Sequence, residues 1–247
     1  MRPGVRTIAP TAGPFWSRKN WRRYAREARR PLNALVLLLP LVVLYEVTAW
    51  LTARGEANTH SLWAPTVIQD LLAWFGLVGF WVPPVVFVTA LLVWHRRRRD
   101  RWRLHAWVIP AMAGESLVLA VPLWVLSALF ATPAPAHVVA ALGAAVYEEF
   151  VFRFLLLAGL TWLLAEIGHF ERPAALGAAV VLAAVLFALC HFQPVGAEAF
   201  AWKPFLFRTV AGVYLSAVFL GRGLGLAGGC HAVFNLLLVL LSHAAGG

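Results

Sequence analysis

The polar positions of this chain are few and bunched, and the apolar stretches between them are long. Near-continuous apolar runs cover about Leu32 to Thr52, Leu72 to Trp94, His105 to Phe130, Val138 to Leu164, Ala174 to Phe192, Phe205 to Leu220 and Leu226 to Leu241. A helix needs about 20 apolar residues to cross the hydrocarbon core, so each run has or approaches spanning length. Lipid offers the backbone no hydrogen-bond partner, which leaves helices and closed barrels as spanning structures. Continuous rather than alternating apolar runs favour helices, and the pattern predicts an all-α polytopic bundle of about seven spans. Pro83-Pro84 and Pro122 predict kinks in the second and third spans. No repeat at the period of a helical hairpin is evident. The stretch Gly221 to Gly229 predicts a tight turn between the last two spans, its glycines also letting backbones approach closely.

Composition agrees with a membrane domain. Hydrophobic residues make up 61% and charged residues 13% of the 247 positions. Soluble domains carry roughly twice that share of charge. Twelve Trp and sixteen Phe suit lipid and its interfaces. The formal net charge of +10 is unevenly spread: nine of the 21 basic residues fall in the first 30 positions and six more between Arg96 and Arg103. Both clusters abut apolar runs, so they read as topology signals and as contacts for anionic lipids, not as a nucleic-acid surface.

The charge bias sets an orientation. The tail before the first span and the loop after the second must share a side, and basic residues place that side in the cytoplasm. Residues 54–71 and the loop from Thr132 to His137 then lie outside, as do positions 58, 134 and 245. Three parts follow: a basic cytoplasmic tail over 1–30, N-terminal transmembrane spans over 31–136, and a four-helix core over 137–247. Residues 1–14 read as disordered. Arg18, Lys19, Arg22, Arg23, Arg26, Arg29 and Arg30 can form the polar face of a short helix lying on the membrane. The basic region and the first apolar run are too long for a cleaved signal peptide. Asp70 reads as a cap at the start of the second span.

Three polar clusters interrupt the spans of the core. They are Glu148-Glu149 with Arg153, Phe187 with His191, and His231 with Asn235. Ionisable groups in hydrocarbon are costly unless paired or wetted, so their presence points to use. Residues four apart share a helix face, which lets Glu149 pair with Arg153. Glu148 is turned about 100° away, free to point elsewhere. Adjacent buried carboxylates repel, and a neighbouring Arg relieves that repulsion. This gives Glu148 the role of general base and makes Glu149 and Arg153 its support. Phe187 shares a face with His191 and can limit water there. Asn235 can donate to a developing oxyanion or orient His231.

Together the clusters supply a carboxylate base, two imidazoles and a carboxamide, a set that activates water and stabilises an oxyanion. Ser216 lacks a nucleophile elbow. Zinc on Glu148, His191 and His231 is geometrically open, but the chemistry requires no cofactor, and one carboxylate cannot comfortably serve as both ligand and base. Cys190 and Cys230 lie in apolar runs and read as packing residues. Glu46 and Glu115 line the cavity or pair with a partner such as Arg208.

Glu148-Glu149-x-x-x-Arg153, Phe187-x-x-x-His191 and His231-x-x-x-Asn235, in that order on successive spans, resemble the motifs of the CPBP intramembrane proteases. That family includes eukaryotic type II CAAX prenyl endopeptidases and bacterial proteins linked to bacteriocin immunity and processing. The resemblance covers about residues 138–241. It implies an integral, multi-pass endopeptidase, here of a bacterial plasma membrane, acting on a membrane-bound protein or peptide. Glu148 and His191 would activate water, while His231 and Asn235 would line the site and stabilise the oxyanion. A non-catalytic scaffold or immunity protein of the same fold is the alternative. A proton-coupled transporter fits less well, because paired repeats are missing.

Overall fold

The computed structural model describes residues 18–53, 81–130, 138–196 and 198–246. The first 17 residues of the basic tail, the predicted start of the second span, the 54–71 segment with Asp70 and the 132–137 loop lie outside the described residues. Among the described residues eight helices follow one another: α1 (Arg18–Ala28), α2 (Pro31–Ala53), α3 (Val82–Arg97), α4 (Val108–Phe130), α5 (Val138–Ile167), α6 (Arg172–Leu189), α7 (Trp202–Arg222) and α8 (Leu224–Gly246). The protein is an all-α polytopic bundle. Six of these helices, α2 and α4 to α8, are long and apolar enough to cross a membrane. The chain is thus an integral, multi-pass membrane protein. The remaining predicted span, the second, corresponds to α3 (Val82–Arg97), and its predicted first positions are not among the described residues.

Burial ranks the helices. α8 has 61% of its spanning window buried, against 22% to 33% for the others. It is the central post, packed on α2, α4, α5 and α7. Small residues allow this. A methyl group on Gly225 would press on Ala34 of α2 and Met112 of α4, and one on Gly212 of α7 would press on Ala184 of α6. Without a hydrophobic drive between helices in lipid, such close backbone approach supplies the packing. Leu38, Val42, Phe87, Leu91, Tyr147 and Phe150 bind α2, α3 and α5 together. Leu123, Phe207, Leu215, Cys230 and Phe234 do the same for α4, α7 and α8, so Cys230 is a packing residue. Val118 and Leu129 on α4 turn outward to the lipid, 69% and 77% exposed.

Several local expectations change. Pro83 and Pro84 stand in the first turn of α3, where their missing N–H groups cost nothing, so they start a helix instead of kinking one. The Gly221 to Gly229 stretch is mostly the beginning of α8. Gly223 alone makes the turn, with φ 93°, a conformation that L side chains rarely adopt. Neither Glu46 nor Glu115 pairs with Arg208. Glu115 takes Arg222 of α7 at 2.6 and 2.7 Å and the hydroxyl of Tyr24 at 2.6 Å. Burial first, and then that carboxylate, raise the Tyr24 phenol well above its ordinary range, so it acts as a donor. Glu46 accepts from the Tyr147 hydroxyl.

α1 forms as a basic amphipathic helix, with Tyr24, Glu27 and Ala28 turned inward and Arg18, Arg22, Arg23 and Arg26 outward. Arg29 donates to the Leu220 and Gly221 carbonyls at the end of α7, and Arg98 donates to the Arg29 carbonyl at 3.4 Å. The basic tail and the Arg-rich loop therefore meet at one end of the bundle.

Candidate active site

α5 changes its winding where its sequence turns polar. It is α-helical to Glu149, then takes a π-helical stretch from Phe150 to Leu156. Widened turns of this kind often mark functional sites. Four residues apart across the change, Glu149 Oε1 and Arg153 Nη1 lie 3.0 Å from each other. Both side chains are almost fully buried, at 0% and 1% exposure. The guanidinium also stacks over the Phe187 ring at 4.4 Å and reaches the Gly212 carbonyl at 3.4 Å. α6 and α7 thereby hold the charge that fixes Glu149.

His231 comes from α8. Its Nδ1 lies 2.9 Å from Glu149 Oε1, and its Nε2 lies 3.8 Å from Glu148 Oε2. A carboxylate only accepts, so the Nδ1 hydrogen is the one donated and a neutral ring presents its Nε2 lone pair to Glu148. His191 repeats the arrangement. Its Nδ1 lies 2.9 Å from the Phe187 carbonyl and its Nε2 3.9 Å from Glu148 Oε1. Each oxygen of Glu148 thus faces a different imidazole. The Phe187 ring lies edge-on to both, with centroids at 5.0 Å from His191 and 6.1 Å from His231.

His191 differs from its expected place. α6 ends at Leu189, and the imidazole stands in the turn beyond it. Helical periodicity therefore does not set its direction. The segment after it does. Glu198 donates its backbone N–H to the His191 carbonyl at 3.3 Å and accepts from the Gln193 N–H at 2.9 Å. Arg208 of α7 grips the Glu198 carboxylate through two bonds of 2.6 and 2.9 Å and covers the Phe192 ring at 5.3 Å. Glu198 and Arg208 were not read as site residues from the sequence. The signal was present: Arg208 is a charge inside an apolar run, ten residues after an acid.

Asn235 stands one turn beyond His231 on α8. Its amide donates to the Ala141 carbonyl of α5 at 2.9 Å. One of its two hydrogens is therefore spent on tying α8 to α5, a connection sequence alone did not suggest. Tyr147, next to Glu148, carries the link to Glu46 and so ties α5 to α2 as well.

Glu148, His191 and His231 do not form a ready metal cage. Donors sharing a tetrahedral zinc at about 2.0–2.1 Å stand about 3.4 Å apart. Here the imidazoles sit wider, at 3.8 and 3.9 Å, and no group of three His, Cys, Asp or Glu among the described residues is placed to hold an ion.

Comparison with known proteins adds the family. Residues 130–237, which contain every motif residue above, match the family model described as type II CAAX prenyl endopeptidase Rce1-like. No curated protein and no solved structure matches the chain. The matched stretch runs from the end of α4 into α8, so the helices that converge on Glu148 are the ones the family describes. Over residues 130–237, less than half of its length, the chain is similar to the type II CAAX prenyl endopeptidase Rce1-like family.

Proposed function

We propose that the protein hydrolyses a peptide bond of a membrane-associated protein or peptide with water activated by Glu148 and His191. The observation that supports this most directly is the pair of imidazole Nε2 atoms facing the two oxygens of one buried carboxylate. At this width the carboxylate and the imidazoles are not bonded to one another, and a water beside them can hydrogen-bond to both kinds of group. Glu148 and the His191 Nε2 accept the two hydrogens of that water and leave an oxygen lone pair for the scissile carbonyl. Glu148 takes the proton as the carbon–oxygen bond forms, then passes it to the departing amine as the carbon–nitrogen bond breaks.

His231, backed by Glu149 as the second carboxylate, lines the place where the oxyanion develops. The remaining Asn235 hydrogen is a donor to it on the same face of α8. Arg153 holds Glu149 in place, so that Glu149 orients the His231 ring. No step needs a metal ion. Zinc in stoichiometric amount in purified active protein, with activity lost to chelator and restored by metal, would replace this mechanism with a metal-dependent one.

The test of the function is to compare new peptide N-termini in membranes from cells expressing the wild type and Glu148→Gln at equal levels. Wild-type-specific termini are expected on membrane-associated proteins or peptides. Identical sets from the two strains would sink the proteolytic reading and leave a scaffold of the same fold.

A further inference from the structure

At the end of the bundle where α1 meets the loop after α3, a cavity of about 560 Å³ is lined by seven arginines, two carboxylates and His105. The carboxylates are already engaged. Glu27 holds Arg30 at 2.7 Å and His105 at 3.5 Å, and Asp100 holds Arg98 at 3.1 Å. Arg29 is spent on the end of α7. Arg23, Arg26, Arg101 and Arg103 remain, and no carboxylate partner meets them among the described residues. Guanidiniums gathered around one space repel one another unless they share an anion. Their planar donor forks match the oxygens of a phosphate group.

The surroundings place this cavity at headgroup level. Trp21 on α1 and Trp102 and Leu104 beside the cavity arginines are 50%, 58% and 53% exposed. Exposed Trp next to arginine at the end of a spanning bundle is the composition of a membrane interface. The volume lies in the range that holds whole organic ligands, well above a lone inorganic phosphate. Basic pockets between spanning helices are known to take phosphorylated headgroups.

We propose that this cavity binds a phosphate-bearing anion, with Arg23, Arg26, Arg101 and Arg103 as its ligands and an anionic lipid headgroup as its source. The cavity shares no lining residue with the Glu148 site and does not depend on the proteolytic reading. Its wall includes Arg29, which clamps the end of α7 just before the Gly223 turn into α8. Occupancy therefore stabilises the junction from which the central helix starts.

The test uses the full chain in neutral detergent micelles doped with diphosphatidylglycerol or phosphatidylcholine, with a parallel series in inorganic phosphate. Diphosphatidylglycerol is expected to raise the unfolding midpoint by about 5 °C, and phosphatidylcholine to leave it unchanged. The double variant R101Q/R103Q should lose the rise, as should R23Q/R26Q. R18Q/R22Q removes the same charge outside the cavity and should keep it. A full rise with inorganic phosphate alone would support the site and assign it to a soluble phosphate. Equal loss in R18Q/R22Q, or an equal rise with phosphatidylcholine, would overturn the proposal in favour of diffuse attraction or a general lipid effect.

Discussion

Glu148 is a carboxylate with no bonded cation of its own. Its neighbour Glu149 carries the ion pair with Arg153 and accepts from His231, so the two adjacent acids have separate tasks. Glu148→Gln keeps the shape and removes the proposed base. Proteolysis should fall by at least about 100-fold while insertion and melting behaviour stay normal. Near wild-type cleavage would rule out the water-activating role. Glu149→Gln should behave differently, because it leaves the Arg153 charge buried without its partner. A stability loss of about 3 kcal/mol is expected alongside the activity loss, read by thermal unfolding in detergent. A Glu149→Gln protein as stable as wild type would show that the pair does not hold the fold. Asn235→Ala should cost about 1 kcal/mol through the lost Ala141 bond, with activity reduced less than by Glu148→Gln.

Among the elements, the end of α6 decides the site. Its helix stops two residues before His191, so the imidazole depends on the 190–201 segment and on the grip of Arg208 on Glu198. A misplacement of about 1 Å in a catalytic group can cost as much as a hundredfold in rate. Arg208→Glu should therefore lower kcat by about tenfold or more, with a smaller change in KM. The reciprocal pair Arg208→Glu with Glu198→Arg should recover most of the rate. A double variant no better than either single one would show that the ion pair does not position His191.

Across the whole molecule, the two ends of the bundle differ. α5 runs away from the 131–137 end, α6 returns to it, and α7 leads back to the end where Arg29 caps its last carbonyls. The segment holding His191 is thus opposite the Arg-rich end. With the Arg-rich end in the cytoplasm, as the charge bias proposes, that segment faces outward. In a chain with Cys190 and Cys230 replaced by Ala, a cysteine at Val195 should react with an impermeant maleimide on intact cells. One at Arg101 should react only after permeabilisation. The reverse pattern would invert the orientation and bring the His191 segment to the cytoplasmic face.

The apolar runs and three polar clusters were enough to determine the helical membrane fold, the helices that carry the candidate site and the Glu149–Arg153 pair. These are local matters, set by run length and by residues four apart on one helix. The sequence also named Glu148, His191 and His231, because ionisable groups in lipid need a reason. What it left open depended on neighbours far away in the chain. Glu115 could not be assigned to Arg222 and Tyr24 until α1 was folded back on the bundle, nor Glu46 to Tyr147. The π-helical stretch after Glu149 has no compositional marker. His191 read as helical, since nothing in an apolar run announces where a helix will stop. Its position is decided by Glu198 and Arg208, which come together only when the turn after α6 packs on α7. Asn235 likewise looked like a donor for the reaction, and tertiary packing commits one of its hydrogens to Ala141. Local pattern determines which residues are candidates, but the direction of each side chain is settled by the distant partner that satisfies its polar atoms in a medium that offers no water.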